Sequence, residues 1–129
     1  MAAGGVFLDR LVVEQVDSAH WKLYEPLRYV SFTWGMISVP ELFVTDFAST
    51  PRVVWSFGMP KSGIYDSAAV VHDYLYVMGG RLPGREQPIT KAEADLIFKE
   101  AMGVLGVGKA KRWLMYQAVR AFGKGAFQA

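Results

Sequence analysis

Short runs of branched and aromatic residues alternate with turn formers through the first third of the chain, at residues 11–16, 21–24, 28–32, 36–39 and 43–45. Asp17-Ser18, Pro26, Gly35 and Pro40 punctuate them. Runs of three to six such residues, too short for helices and bounded by breakers, predict strands joined by tight turns, and therefore a small antiparallel sheet.

From Thr50 onward the pattern changes to helical spacing. Thr50-Pro51 offers a capping hydroxyl followed by the residue favoured at the first helical position, which predicts a short helix over 51–57 ending near Gly58. Asp66-Ser67 is placed to cap a second helix through Ala68, His72 and Tyr76 that stops at Gly79-Gly80. Apolar residues on nearly every side of this segment mark it as a central, buried helix. Thr90-Lys91-Ala92-Glu93 has the form of a capping box and opens a third helix, with Ala94, Phe98, Ala101 and Leu105 on its inward arc. A last helix over about 110–122 carries Trp113, Tyr116, Val119 and Phe122 at helical spacing. Residues 81–88 between the second and third helices form a loop, not a domain linker, and no internal repeat is present. The fold class expected is α+β in one domain spanning 1–129, with a strand-rich part at 6–45 and a helical part at 46–123 built on three main helices.

Composition narrows this picture. The chain has 129 residues, 52% of them hydrophobic and 20% charged, outside the range that keeps a chain disordered. It has no cysteine, so packing alone must hold the fold, as suits assembly in a reducing cytoplasm. The first residues lack the basic start and apolar run of a signal peptide, and no stretch is long and apolar enough to span a membrane. The net charge of +2 conceals an asymmetry: residues 101–129 contain Lys109, Lys111, Arg112, Arg120 and Lys124 without an acid, whereas the first hundred residues hold nine bases against twelve acids. A solvated basic helix face is the plain reading. Contact with an anionic lipid surface, nucleic acid or an acidic partner is the alternative.

The chemistry concentrates in Ala68-Ala69-Val70-Val71-His72-Asp73-Tyr74-Leu75-Tyr76, which puts an imidazole and a carboxylate side by side in an apolar helix. Adjacent helical residues point about 100° apart, so His72 and Asp73 must serve different partners. Tyr76 shares the face of His72. Antiparallel packing of the next helix brings Asp95, another acid in an apolar setting, opposite His72, where it would fix the imidazole tautomer and favour its charged form. Asp46, together with Asp73 and a main-chain carbonyl, is suited to a hard cation such as calcium. The plainer alternatives are a histidine satisfied by an aspartate for structural reasons, and an Asp46 that shapes a turn beside Ser49 and Thr50. His20 reads as a surface residue near a hairpin turn. There is no His-Glu-x-x-His helix, phosphate loop, Gly-x-Ser-x-Gly elbow or cysteine nucleophile.

Four blocks, residues 46–52 (Asp-Phe-Ala-Ser-Thr-Pro-Arg), 69–76, 94–102 and 115–123, resemble in their order a phage and prophage domain family of unknown function, over about residues 40–123. The same blocks are similar to the secreted bacterial branch of phospholipase A2, where a His-Asp-x-x-Tyr helix precedes one bearing an aspartate and then an aromatic-rich helix. That resemblance implies a phospholipase A2-like helical bundle with His72 as the base that activates water, Asp95 as its supporting acid and Tyr76 as a hydrogen-bond partner of Asp95. It also implies calcium held by Asp73, Asp46 and the carbonyl of Phe47. The flanking cysteines of the bacterial enzymes are missing here, and residues 6–45 have no counterpart in them.

Two functions follow. One is a calcium-dependent hydrolase of ester bonds in host envelope lipids. The other is a non-catalytic virion component of a tail, tail tip or baseplate, whose partners would be other virion proteins. Synthesis in the host cytoplasm fits both, and incorporation in the virion fits the second. Nucleic acid is not the expected partner, since five bases alone specify no groove-binding element.

Overall fold

The structure is a computed structural model and describes residues 4–18, 20–45, 65–122 and 127. The predicted helix over 51–57 and the candidate ligands Asp46 and Phe47 lie outside the described residues. Six strands precede three helices: β1 (Gly5–Phe7), β2 (Val13–Gln15), β3 (Trp21–Leu23), β4 (Leu27–Ser31), β5 (Gly35–Val39), β6 (Val44–Thr45), α1 (Asp66–Met78), α2 (Lys91–Val104) and α3 (Lys109–Phe122). The fold is α+β.

The strands make two small antiparallel sheets where one was expected, in the orders β1-β4-β5 and β2-β3-β6. The break falls at Tyr24-Glu25-Pro26, between β3 and β4, where proline has no N–H to continue a ladder. Strand β1 was not anticipated because it is only three residues long and opens on Gly4-Gly5. Glycine is required there, since a Cβ on Gly5 would collide with the Tyr29 hydroxyl and the Val30 carbonyl. In the first sheet Phe7, Tyr29 and Ile37 stand in one row, and with Leu27 and Val39 they face a core completed by α1 and α2.

Helix α1 is buried along Ala68–Tyr76 without interruption, which makes it the central element. It begins one residue earlier than expected: the N-cap position is Tyr65, whose side chain makes no capping bond, and Asp66 lies in the first turn, where its charge favours the helix dipole. Its end is the predicted one. Gly79 adopts the left-handed conformation, with φ of 60°, and the Gly80 N–H donates to the Leu75 carbonyl at 2.9 Å. The Thr90–Glu93 capping box is present and starts α2.

Helix α3 carries its expected aromatics, but the stripe it turns inward shares only Val119 with the expected set. Met115, Ala118 and Val119 are buried, at the i, i+3, i+4 spacing of a core stripe, whereas Trp113 is 56% exposed. Tyr116 is only partly buried and the Phe122 side chain lies outside the described residues. Among the described residues no helix is long and apolar enough to cross a membrane.

Candidate functional site

The end of α1 and the start of α2 are pinned together by Gly80 and Ile89. The Ile89 N–H donates to the Gly80 carbonyl at 2.9 Å, and Gly80, at φ of 76°, leaves no room for a Cβ against the Ile89 carbonyl. From that pin the chain runs back eight residues to His72 and forward six to Asp95. At 1.5 Å per residue these are distances of roughly 12 and 9 Å along two antiparallel helices, so the two side chains arrive at nearly one level. Asp95 Oδ1 lies 2.8 Å from His72 Nε2.

Asp95 is the hub of the site. Its Oδ1 accepts from His72 Nε2 and from the Tyr76 hydroxyl at 2.5 Å, and its Oδ2 accepts from Lys91 Nζ at 2.8 Å and Arg120 at 3.1 Å. Both His72 and Asp95 are completely shielded from solvent. The imidazole is stacked on Phe98, with centroids 4.5 Å apart, and lies tilted against Tyr76 at 4.2 Å. Lys91 also donates to the Val119 carbonyl at 2.9 Å, which binds the hub to α3. One carboxylate thus joins α1, α2 and α3.

The protonation states follow from these contacts. Burial works to raise the Asp95 carboxyl, but the bonds from His72, Lys91 and Tyr76 together outweigh it and hold the group at about 2, so it is ionised. Burial pushes His72 below the usual histidine value; Asp95 pulls it up and Lys91 pushes it down again. The imidazole is therefore neutral at pH 7, with Nε2–H donated to Asp95. Burial and the adjacent Asp95 push the Tyr76 phenol far above its ordinary range, so it remains a donor.

Asp73 points elsewhere, as its position next to His72 requires. Its Oδ2 accepts from the Thr45 hydroxyl at 2.7 Å, at the end of β6. Thr45 immediately precedes Asp46 in the sequence. Carboxylate and hydroxyl oxygens suit a hard cation, yet among the described residues no group of three or more His, Cys, Asp or Glu side chains stands in a ligand arrangement. Of the expected ligands, Asp73 alone falls within the described residues.

Sequence reasoning missed Lys91, Arg120 and Thr45. Lys91 carried a legible signal, since it precedes Asp95 by one helical turn. Arg120 carried none: in the sequence it was one more base on a basic helix, and its pairing with Asp95 depends on how α3 packs. His20 is half-buried and bonds Asp17 at 2.9 Å within its own turn, in keeping with a surface residue.

A cavity of about 780 Å³ lined by described residues does not reach His72. It is an open groove between the β4–β5 turn and the face of α2 that bears Leu96, Lys99 and Gly103.

Fold and site together define a small α+β domain in which an apolar central helix presents a neutral histidine to a buried, ionised aspartate held by two cations. The chain belongs to the family described as a protein of unknown function, DUF1353, whose model matches residues 21–119. No curated protein and no solved structure matches it. The family match begins at β3 instead of near residue 40, so β3 to β6 belong to the family unit along with the helices, and β1 and β2 precede it.

Proposed function

We propose that this chain is a phage-encoded, phospholipase A2-like hydrolase that cuts ester bonds in host envelope lipids with the help of calcium. One observation carries the reading: Asp95 Oδ1 receives His72 Nε2 and the Tyr76 hydroxyl together, on two antiparallel helices, in the order His-Asp-x-x-Tyr followed by Asp. With Nε2 committed to Asp95, the reading requires a water admitted to Nδ1 of the buried ring: its proton passes to Nδ1 as its oxygen attacks the ester carbonyl, and Nδ1 returns that proton to the leaving alcohol oxygen as the ester C–O bond breaks. Asp95 stabilises the imidazolium that results, and Tyr76 and Lys91 keep the carboxylate in place. Asp73, Asp46 and the Phe47 carbonyl are the calcium ligands that the resemblance implies, and of these Asp73 lies among the described residues. A bound calcium ion would supply polarisation of the carbonyl and stabilisation of the oxyanion.

The test is release of fatty acid from vesicles of phosphatidylglycerol and phosphatidylethanolamine with calcium and with chelator. Release should require calcium and fall by about 10² to 10⁴ in His72→Ala, the span of a lost general base. Absence of release from every bacterial lipid tried, across the neutral and mildly alkaline range, sinks the reading.

A second reading, a non-catalytic tail, tail-tip or baseplate component, is favoured by the apolar side chains exposed on the strands, including Val6, Val13, Met36 and Val44, and on the β4–β5 turn at Phe32. Mass spectrometry of purified particles separates the two: stoichiometric copies support it, and total absence removes it.

A further inference from the structure

In an antiparallel sheet packed on a core, one face is apolar and the other polar. The first sheet departs from this. Its inner row is Phe7, Tyr29 and Ile37, but Val6, Val30 and Met36 also stand in one row, on the outer face. Leu8 and Phe32, two residues along from Val6 and Val30, share that face. Phe32 is 61% exposed and Met36 54%, and Val6 and Leu8 are exposed as well. The charge on this face, Arg28, is neutralised by Asp9 at 2.8 Å.

Phe32 also forms one wall of the 780 Å³ groove, opposite the exposed Leu96 and Val104 of α2. The apolar face therefore continues into a concavity, and patches of this kind on a folded chain mark interfaces. Two cations line the groove, Lys99 and Arg112. Arg112 lies where a side chain on residue 103 would be: a Cβ on Gly103 would sit 2.8 Å from its guanidinium. The Val107 carbonyl accepts from the same nitrogen at 3.3 Å. The one acid of the lining, Glu100, accepts from the Tyr29 hydroxyl and stands against two cations, and no acid follows it in the sequence. The groove has apolar walls and a fixed positive charge.

We propose that the outer face of the first sheet and the adjoining groove form a docking surface for a polypeptide segment of another protein that combines large apolar side chains with acidic ones. Aromatic and arginine side chains together are the composition of protein interface centres. A second copy of this chain would bring the same cations, not their counter-charge. A lipid surface is met by cations that project, whereas Arg112 is drawn in against α2 and the groove is concave.

The test does not depend on hydrolysis. The full chain is used to select from a random dodecapeptide library, and the enriched peptides are measured by fluorescence anisotropy against Phe32→Asp, Arg112→Gln and Lys99→Gln. Enriched sequences should pair Asp or Glu with Phe, Leu or Trp, and Phe32→Asp and Arg112→Gln should each weaken binding about tenfold or more. Phe32 is exposed, so its variant keeps the fold; if Arg112→Gln fails to melt cooperatively, Lys99→Gln tests the charge in its place. The proposal is overturned by no enrichment, by peptides without acid, or by peptides that bind the variants as well as the wild type. It is equally overturned if phosphatidylglycerol vesicles bind through these residues and no peptide does.

Discussion

Asp95 has two oxygens and four donors, and each donor matters for a different reason. Moving a carboxylate out of water costs several kcal/mol, and only full hydrogen bonding with opposite charge offsets that cost. Lys91 and Arg120 supply the charge; His72 and Tyr76 occupy the other oxygen. Asp95→Asn removes the anion and leaves two cations and a phenol facing an amide. Because Lys91 and Arg120 keep some exposure, they can turn toward water, which puts the loss at the low end for a broken buried pair, about 3 kcal/mol. Tyr76→Phe deletes one charge-assisted bond in a dry setting and should lose about 2 kcal/mol. Urea unfolding of both variants measures this; a Tyr76→Phe chain less stable than Asp95→Asn would contradict the hub.

At the level of elements, the α1–α2 hairpin sets the geometry of the site, and its two ends make separate predictions. Thr90→Ala removes the hydroxyl that accepts the Glu93 N–H and should lower stability by about 1 kcal/mol. Gly80→Ala places a Cβ against the Ile89 carbonyl at a positive φ and should lose more than about 2 kcal/mol, while separating Asp95 from His72. Chemical shifts of the His72 ring in Gly80→Ala report that separation directly. These devices were legible because they are local: a capping box and a glycine stop are written in consecutive residues. The meeting of His72 with Asp95 was legible for a related reason, since a short loop allows only antiparallel packing. What the sequence hid depends on contacts between distant segments. The division into two sheets turns on which hairpin β3 joins, the inward stripe of α3 on which turn meets α2, and the pairing of Arg120 with Asp95 on both. Helical spacing alone did not say which of the last helix's aromatics would be buried, and Trp113 is exposed, as single large apolar residues often are.

Taken as a molecule, the chain has its three helices tied through one buried cluster, and that makes its stability depend on pH in stages. Unfolded, His72 gains its proton near 6.5, whereas in the fold burial holds it neutral to lower pH. The unfolded chain therefore binds more protons below about 6.5, and stability must fall as pH drops from there toward the folded value. Asp95 has the opposite charge but the same direction of effect: its folded value, about 2, lies below the ordinary 3.8. The stability it contributes is complete above the unfolded value and is lost as pH falls through the folded one, an amount on the order of 2 kcal/mol. On the alkaline side Tyr29 and Tyr76 are held neutral by burial, so stability present below their unfolded value near 10 is lost as pH rises beyond it. Thermal midpoints should thus form a plateau from about 7 to 9, with an upper acid step from His72 and a lower one from Asp95. His72→Gln should flatten the first step and leave the second, and Asp95→Asn should weaken the second. If midpoints instead rise as pH falls from 7 toward 5 in the wild type, the imidazole is charged in the fold, and a base that must start neutral to take a proton from water would have to be looked for elsewhere.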